Sequence, residues 1–156
     1  MSINLFIMRH GDAEPYASSD QSRRLTEFGV AQVKRNALWL TQQCSQFDLV
    51  LVSPYIRAQQ TQQLVCEIVD ESTRLETISD LVPEGNPANV HDYVDAAIKL
   101  YQPKNILLVS HMPLVSYLVE TFSIEKHAPI FPTAAIAHID YQPELMKGHF
   151  SYVKAP

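Results

Sequence analysis

Three short apolar runs in this chain end in the same way, and that repetition limits what it can fold into. Ile3-Asn4-Leu5-Phe6-Ile7-Met8 stops at Arg9-His10-Gly11, Asp48-Leu49-Val50-Leu51-Val52 at Ser53-Pro54-Tyr55-Ile56-Arg57, and Asn105-Ile106-Leu107-Leu108-Val109 at Ser110-His111-Met112-Pro113. Each run reads as a strand, and each closes on an Arg or a His. If the three are neighbouring parallel strands, their carboxyl ends share one edge of a sheet, the edge where open α/β sheets bind ligands. Arg9, His10, Arg57 and His111 then converge on one crevice. Two guanidinium groups and two imidazoles suit the oxygens of a phosphoryl group.

Helical periodicity fills the stretches between the runs. Val30, Val33, Ala37, Leu40 and Cys44 recur at steps of three and four, which predicts an amphipathic helix over about Thr26–Gln43. Ser53-Pro54 reads as a helix cap followed by the first helical residue, and Ile56, Leu64, Val65, Ile68 and Val69 form the next apolar stripe. Asn86-Pro87 repeats the cap signal ahead of Val90, Tyr93, Val94, Ala97 and Tyr101. Leu114, Val115, Leu118, Val119 and Phe122 mark a fourth helix, while Arg74–Ile78, Ala134–Tyr141 and Phe150–Val153 read as further extended pieces. The order β-α-β-α-β-α-β-α-β-β predicts a three-layer α/β domain: a mostly parallel central sheet flanked by helices, with a hairpin at its edge. The polar stretch from Gly11 to Asp20 is expected to form a loop over the site.

No linker or repeat divides the 156 residues, so a single domain over 1–156 is expected. A net charge of −5 argues against nucleic acid and anionic membrane as partners. The Arg and His cluster is thus a local cationic spot on an acidic background, suited to a small anion or a phosphorylated side chain. The N-terminal apolar run is too short for a membrane span and lacks the basic flank of a signal peptide, which points to the cytoplasm. Cys44 and Cys66 show no metal or redox spacing and are expected to be buried free thiols.

His10 is the candidate nucleophile. Imidazole attacks phosphorus when neutral, and the nearby charges of Arg9 and Arg57 disfavour its protonation. Gly11 leaves the backbone beside it open to a phosphate. Arg57 falls in the first turn of a helix, where a cation opposes the dipole by about 0.3–1 kcal/mol. A lone arginine there is ordinarily a solvated surface residue; the unfavourable position at a sheet edge instead suggests anion binding. His111, also just before a helix, could be a satisfied loop residue, but it repeats the placement of Arg9-His10. His91, His127, His138 and His149 form no ligand pattern, so no metal or other cofactor is expected, and the four glycines make no phosphate-binding loop.

Arg9-His10-Gly11, the segment from Ser53 to Thr61, and Ser110-His111-Met112-Pro113 together resemble the histidine phosphatase (phosphoglycerate-mutase-like) superfamily. Arg24-Leu25-Thr26-Glu27-Phe28-Gly29 and Thr133-Ala134-Ala135-Ile136-Ala137 extend the likeness over essentially the whole chain, which within the superfamily is similar to its small bacterial phosphohistidine phosphatases. The resemblance implies that His10 is phosphorylated during turnover, in a pocket of Arg9, Arg57 and His111. In much of the superfamily a glutamate after the third strand protonates the leaving group. The corresponding stretch here is Ile78-Ser79-Asp80, with Glu84 as a nearby alternative. The implied substrate is a phosphohistidine-bearing phosphotransfer protein, handled by a monomeric enzyme whose short chain leaves the pocket open. Three alternatives stand beside it: a small-molecule phosphomonoesterase using Asp80 or Glu84 as acid, a module that binds phosphorylated ligands without turnover, and a mutase.

Overall fold

The computed structural model describes residues 1–70 and 74–156. It contains β1 (Ile3–Arg9), α1 (Glu27–Leu40), β2 (Leu49–Val52), α2 (Ile56–Val69), β3 (Leu75–Thr77), α3 (Pro87–Tyr101), β4 (Asn105–Ser110), α4 (Leu114–Phe122), β5 (Ile136–Gln142) and β6 (Lys147–Lys154). Two single turns of 3-10 helix, Asp20–Ser22 and Ser79–Leu81, lie in the loops after β1 and β3. The strands form one six-stranded sheet in the order β3-β2-β4-β1-β5-β6.

β3, β2, β4 and β1 pair in parallel, whereas β5 runs antiparallel to β1 and β6 antiparallel to β5. This is the expected mostly parallel sheet with a C-terminal hairpin at one edge. Alternation along the strands divides the core between its two faces. Leu5, Ile7, Leu49, Leu51, Ile106 and Leu108 pack under α3 and α4 with Val94, Leu118 and Phe122. Phe6, Met8, Val50, Val52, Leu107 and Val109 face α1 and α2 with Val33, Ala37 and Val65. Because both faces are covered, the three central strands read as unbroken apolar runs in the sequence.

Local chemistry sets the helix ends. Thr26 caps α1 by accepting the Gly29 N–H at 2.9 Å. Asn86 caps α3 by accepting from Ala88 and Asn89, with Pro87 at the first turn as expected. Two expectations need correction. The helix α1 stops at Leu40 rather than Gln43, so half-buried Cys44 lies beyond it in a loop, and Cys66 on α2 is also only half-buried. The Ser53-Pro54 pair does not cap α2, which starts at Ile56. Ser53 follows directly on β2, its N–H donating to Val109 O at 3.1 Å, and its hydroxyl is taken up by His111.

Candidate active site

The strand order puts β2, β4 and β1 side by side, so their carboxyl ends meet at one edge. Arg9 is in register with Ser110, and the His10 N–H donates to Ser110 O at 3.0 Å. His10, Ser53 and His111 are thereby presented on adjacent strand ends by backbone hydrogen bonds that the side chains cannot disturb. The His10 and His111 ring centroids are 5.0 Å apart.

His10 is held in one tautomer. Its Nδ1 lies 2.7 Å from Gly11 O, an acceptor only, so Nδ1 carries the proton. The Nε2 lone pair then faces Arg57, whose Nε–H donates to it at 3.2 Å. The ring is 6% exposed. Burial pushes its pKa down to about 4, the Gly11 carbonyl opposes the shift, and Arg57, Arg9 and Arg23 add to it. At neutral pH His10 is a neutral imidazole with a fixed, in-plane nucleophilic nitrogen.

Among the described residues, two buried donors beside it have no hydrogen-bond partner. Arg9 donates from Nη1 to Phe131 O at 2.8 Å, but its Nε is buried without a hydrogen bond. The Nε2 of His111 is 2.7 Å from Ser53 Oγ, while its Nδ1 is likewise buried and unpaired. Ser53 Oγ also accepts the Tyr55 N–H at 3.2 Å. Directing the Ser53 hydroxyl proton at His111 Nε2 satisfies that oxygen in both roles and leaves His111 Nδ1–H as a free donor. Burial, then His10 and Arg57, push the His111 pKa down to about 2, so it too is neutral. Leaving a buried donor unpaired costs about 1–3 kcal/mol, and such groups in a native fold call for an acceptor.

Arg57, 3% exposed in the first turn of α2, spends its other two nitrogens on the loop after β1. Its Nη1 donates to Asp20 O at 2.6 Å and its Nη2 to Asp20 Oδ2 at 3.2 Å. Arg23 donates to Asp20 Oδ1 at 2.9 Å and to Glu14 O at 2.6 Å, closing the loop on itself. The Gly11–Asp20 stretch therefore reaches the site as expected, but the participation of Asp20 and Arg23 escaped the sequence reading. A carboxylate eleven residues past the end of β1, in a loop without periodicity, carries no sequence signal. Side-chain bonds to both arginines hold the Asp20 carboxyl below its usual range, with burial opposing.

The two candidate acids stand apart from this network. Asp80 is half-buried, with its Oδ1 3.5 Å from the Asn86 N–H at the start of α3, and Glu84 is exposed. Among the described residues, neither is bonded to His10, Arg9, Arg57 or His111. Gly11 is crowded by α1. A Cβ there would lie 2.7 Å from Gly29 O and 2.8 Å from Val33 Cγ2, and its N–H is already donated to Thr61 Oγ1 at 3.1 Å. Its small size lets β1 approach α1.

Residues 5–82 match the model of the histidine phosphatase superfamily (branch 1). The phosphohistidine phosphatase SixA of Escherichia coli is 36% identical over 154 residues, covering 99% of this chain and 94% of that protein. This chain belongs to the histidine phosphatase superfamily. A SixA homolog of Haemophilus influenzae is 37% identical over 144 residues, with 88% of this chain and 87% of that protein covered. A structure of the protein histidine phosphatase SixA complexed with tungstate superposes with a TM-score of 0.93 at 35% identity, over 99% of this chain and 97% of that one. The three-layer fold with a mostly parallel sheet is that of these histidine phosphatases. No helix among the described residues is long and apolar enough to cross a membrane, and none of their His, Cys, Asp and Glu side chains form a group of three or more able to hold a metal ion.

Proposed function

We propose that this chain is a phosphohistidine phosphatase that works through a covalent intermediate on His10. The observation that carries the reading is the pairing of a neutral, tautomer-fixed His10 with the unpaired buried donors Arg9 Nε and His111 Nδ1. An oxyanion is the ligand that such donors lack. The likeness to a SixA that binds tungstate, a tetrahedral oxyanion, and to named phosphohistidine phosphatases supports it.

In the first step the His10 Nε2 lone pair attacks phosphorus, and the bond to the leaving nitrogen breaks with its electron pair returning to that nitrogen. Arg9, Arg57 and His111 donate to the equatorial oxygens, whose charge they stabilise in the transition state. Nδ1 keeps its proton, donated to Gly11 O, and that carbonyl stabilises the positive charge that forms on His10. Water then adds to phosphorus, the P–Nε2 bond breaks back onto Nε2, and the proton lost by water passes to phosphate or solvent. The arginines supply the charge neutralisation.

The substrate in this reading is a phosphohistidine on a phosphotransfer protein in the cytoplasm, met by a monomer. The test is direct: a phosphohistidine-bearing phosphotransfer domain and a panel of phosphate monoesters are incubated with the protein. Faster release from phosphohistidine is expected, and preference for sugar or nucleotide monoesters would refute the reading.

A further inference from the structure

The site has a carboxylate that the steps above do not use. Asp20 presents a side chain 53% exposed at the mouth, gripped from behind by Arg57 and from the side by Arg23. Those bonds occupy one lone pair on each oxygen, and a carboxylate offers about four. Asp12, at the start of this loop, is engaged by α1, its Oδ2 accepting the Thr26 hydroxyl at 2.7 Å. Asp20 also lies close enough for its charge to act on His111.

We propose that Asp20 is the specificity-determining residue of the site, accepting a hydrogen bond from the N–H of the phosphorylated imidazole of the substrate. The inference rests on the phosphohistidine reading above. In-line attack by His10 places the leaving nitrogen on the far side of phosphorus, and the second ring nitrogen further out toward the mouth. Arg57 links the nucleophile to Asp20, touching His10 through Nε and Asp20 through Nη1 and Nη2. A phosphoimidazole protonated on its second nitrogen carries a cationic N–H that a carboxylate stabilises. When the P–N bond breaks, the electron pair neutralises the ring and the N–H stays where it was. No proton has to move, so Asp20 serves while ionised, as its two arginine partners keep it. A phosphate ester has no such N–H and gains nothing from Asp20, whose negative charge opposes the charge that develops on a departing alkoxide.

The test compares kcat/KM for phosphoimidazole and p-nitrophenyl phosphate in wild type, Asp20→Asn and Asp20→Glu. A charge-assisted hydrogen bond is worth about 10- to 100-fold, so the phosphoimidazole to p-nitrophenyl phosphate ratio should fall by about that factor in Asp20→Asn. The ratio should stay within about 3-fold of wild type in Asp20→Glu, which keeps the charge. Equal losses on both substrates in Asp20→Asn would mean that Asp20 only positions Arg57, and would overturn the inference while leaving the phosphatase reading standing. Wild-type protein that turns over p-nitrophenyl phosphate but not phosphoimidazole would overturn both.

Discussion

The Nε of Arg57 lies 3.2 Å from Nε2 of His10, the one ring nitrogen left with a lone pair once Nδ1 is committed to the Gly11 carbonyl. A guanidinium therefore guards the nucleophilic atom in the resting site. It cannot give up a proton, so it adds to burial in keeping the imidazole neutral and stands ready for a phosphoryl oxygen.

The pH behaviour follows. His10 is neutral above about 4, so the imidazole should titrate there and not near 6.5. An NMR titration of the free protein checks this, and a midpoint near 6.5 would contradict it. Stability has the same origin. Between the unfolded value of 6.5 and the lowered native values, the unfolded chain binds more protons at His10 and His111. Stability should therefore fall as pH drops below 6.5, by up to about 1.4 kcal/mol per pH unit per histidine. Denaturant unfolding at pH 7 and pH 5 should show a smaller drop in His111→Asn than in wild type.

Gly29→Ala should be among the most damaging small substitutions. The added Cβ would meet Asp12 O at 2.0 Å, a backbone atom that cannot yield without moving the loop after β1. Overpacking of this kind costs about 1–3 kcal/mol or more. The loss should appear in thermal unfolding.

Vanadate should inhibit, since it offers oxygens to the unpaired Arg9 Nε and His111 Nδ1. Arg9→Gln should weaken that inhibition by about 10-fold or more, the scale of one hydrogen bond to a charged group. Chelators should leave turnover unchanged, and a strict requirement for added metal would count against the mechanism.

Asp80→Asn and Glu84→Gln should change phosphohistidine turnover by less than about 3-fold, given that removing a true general acid costs 10²–10⁴-fold. Asp80 faces the α3 cap and Glu84 the solvent. Alkyl phosphates, whose alkoxide would leave unprotonated, should be slow substrates. Rapid alkyl ester hydrolysis destroyed by either substitution would favour the small-molecule phosphatase alternative.

The fold was legible because buried parallel strands leave unbroken apolar runs, and amphipathic helices leave a clear stripe. Arg9, His10 and His111 were legible because strand ends in a parallel sheet are forced together by topology, and Arg57 because α2 starts just after one of those ends. Asp20 was not, since its bond to Arg57 spans 37 residues and depends on how an aperiodic loop folds back. Ser53 was misread for a related reason. Its sequence context is that of a helix cap, and only the tertiary neighbour His111 reveals where its hydroxyl goes. The close approach of Gly11 to α1 was not legible, since Gly29 lies 18 positions away along the chain.

The measurement closest to the central claim is rapid quenching of the protein with a phosphohistidine substrate, followed by mass mapping of the phosphoryl group. The account requires an acid-labile, base-stable phosphoryl group on His10, and a loss of turnover of more than about 10³-fold in His10→Ala with the fold intact by circular dichroism. A phosphoryl group found on another residue, or near wild-type turnover in His10→Ala, would contradict it.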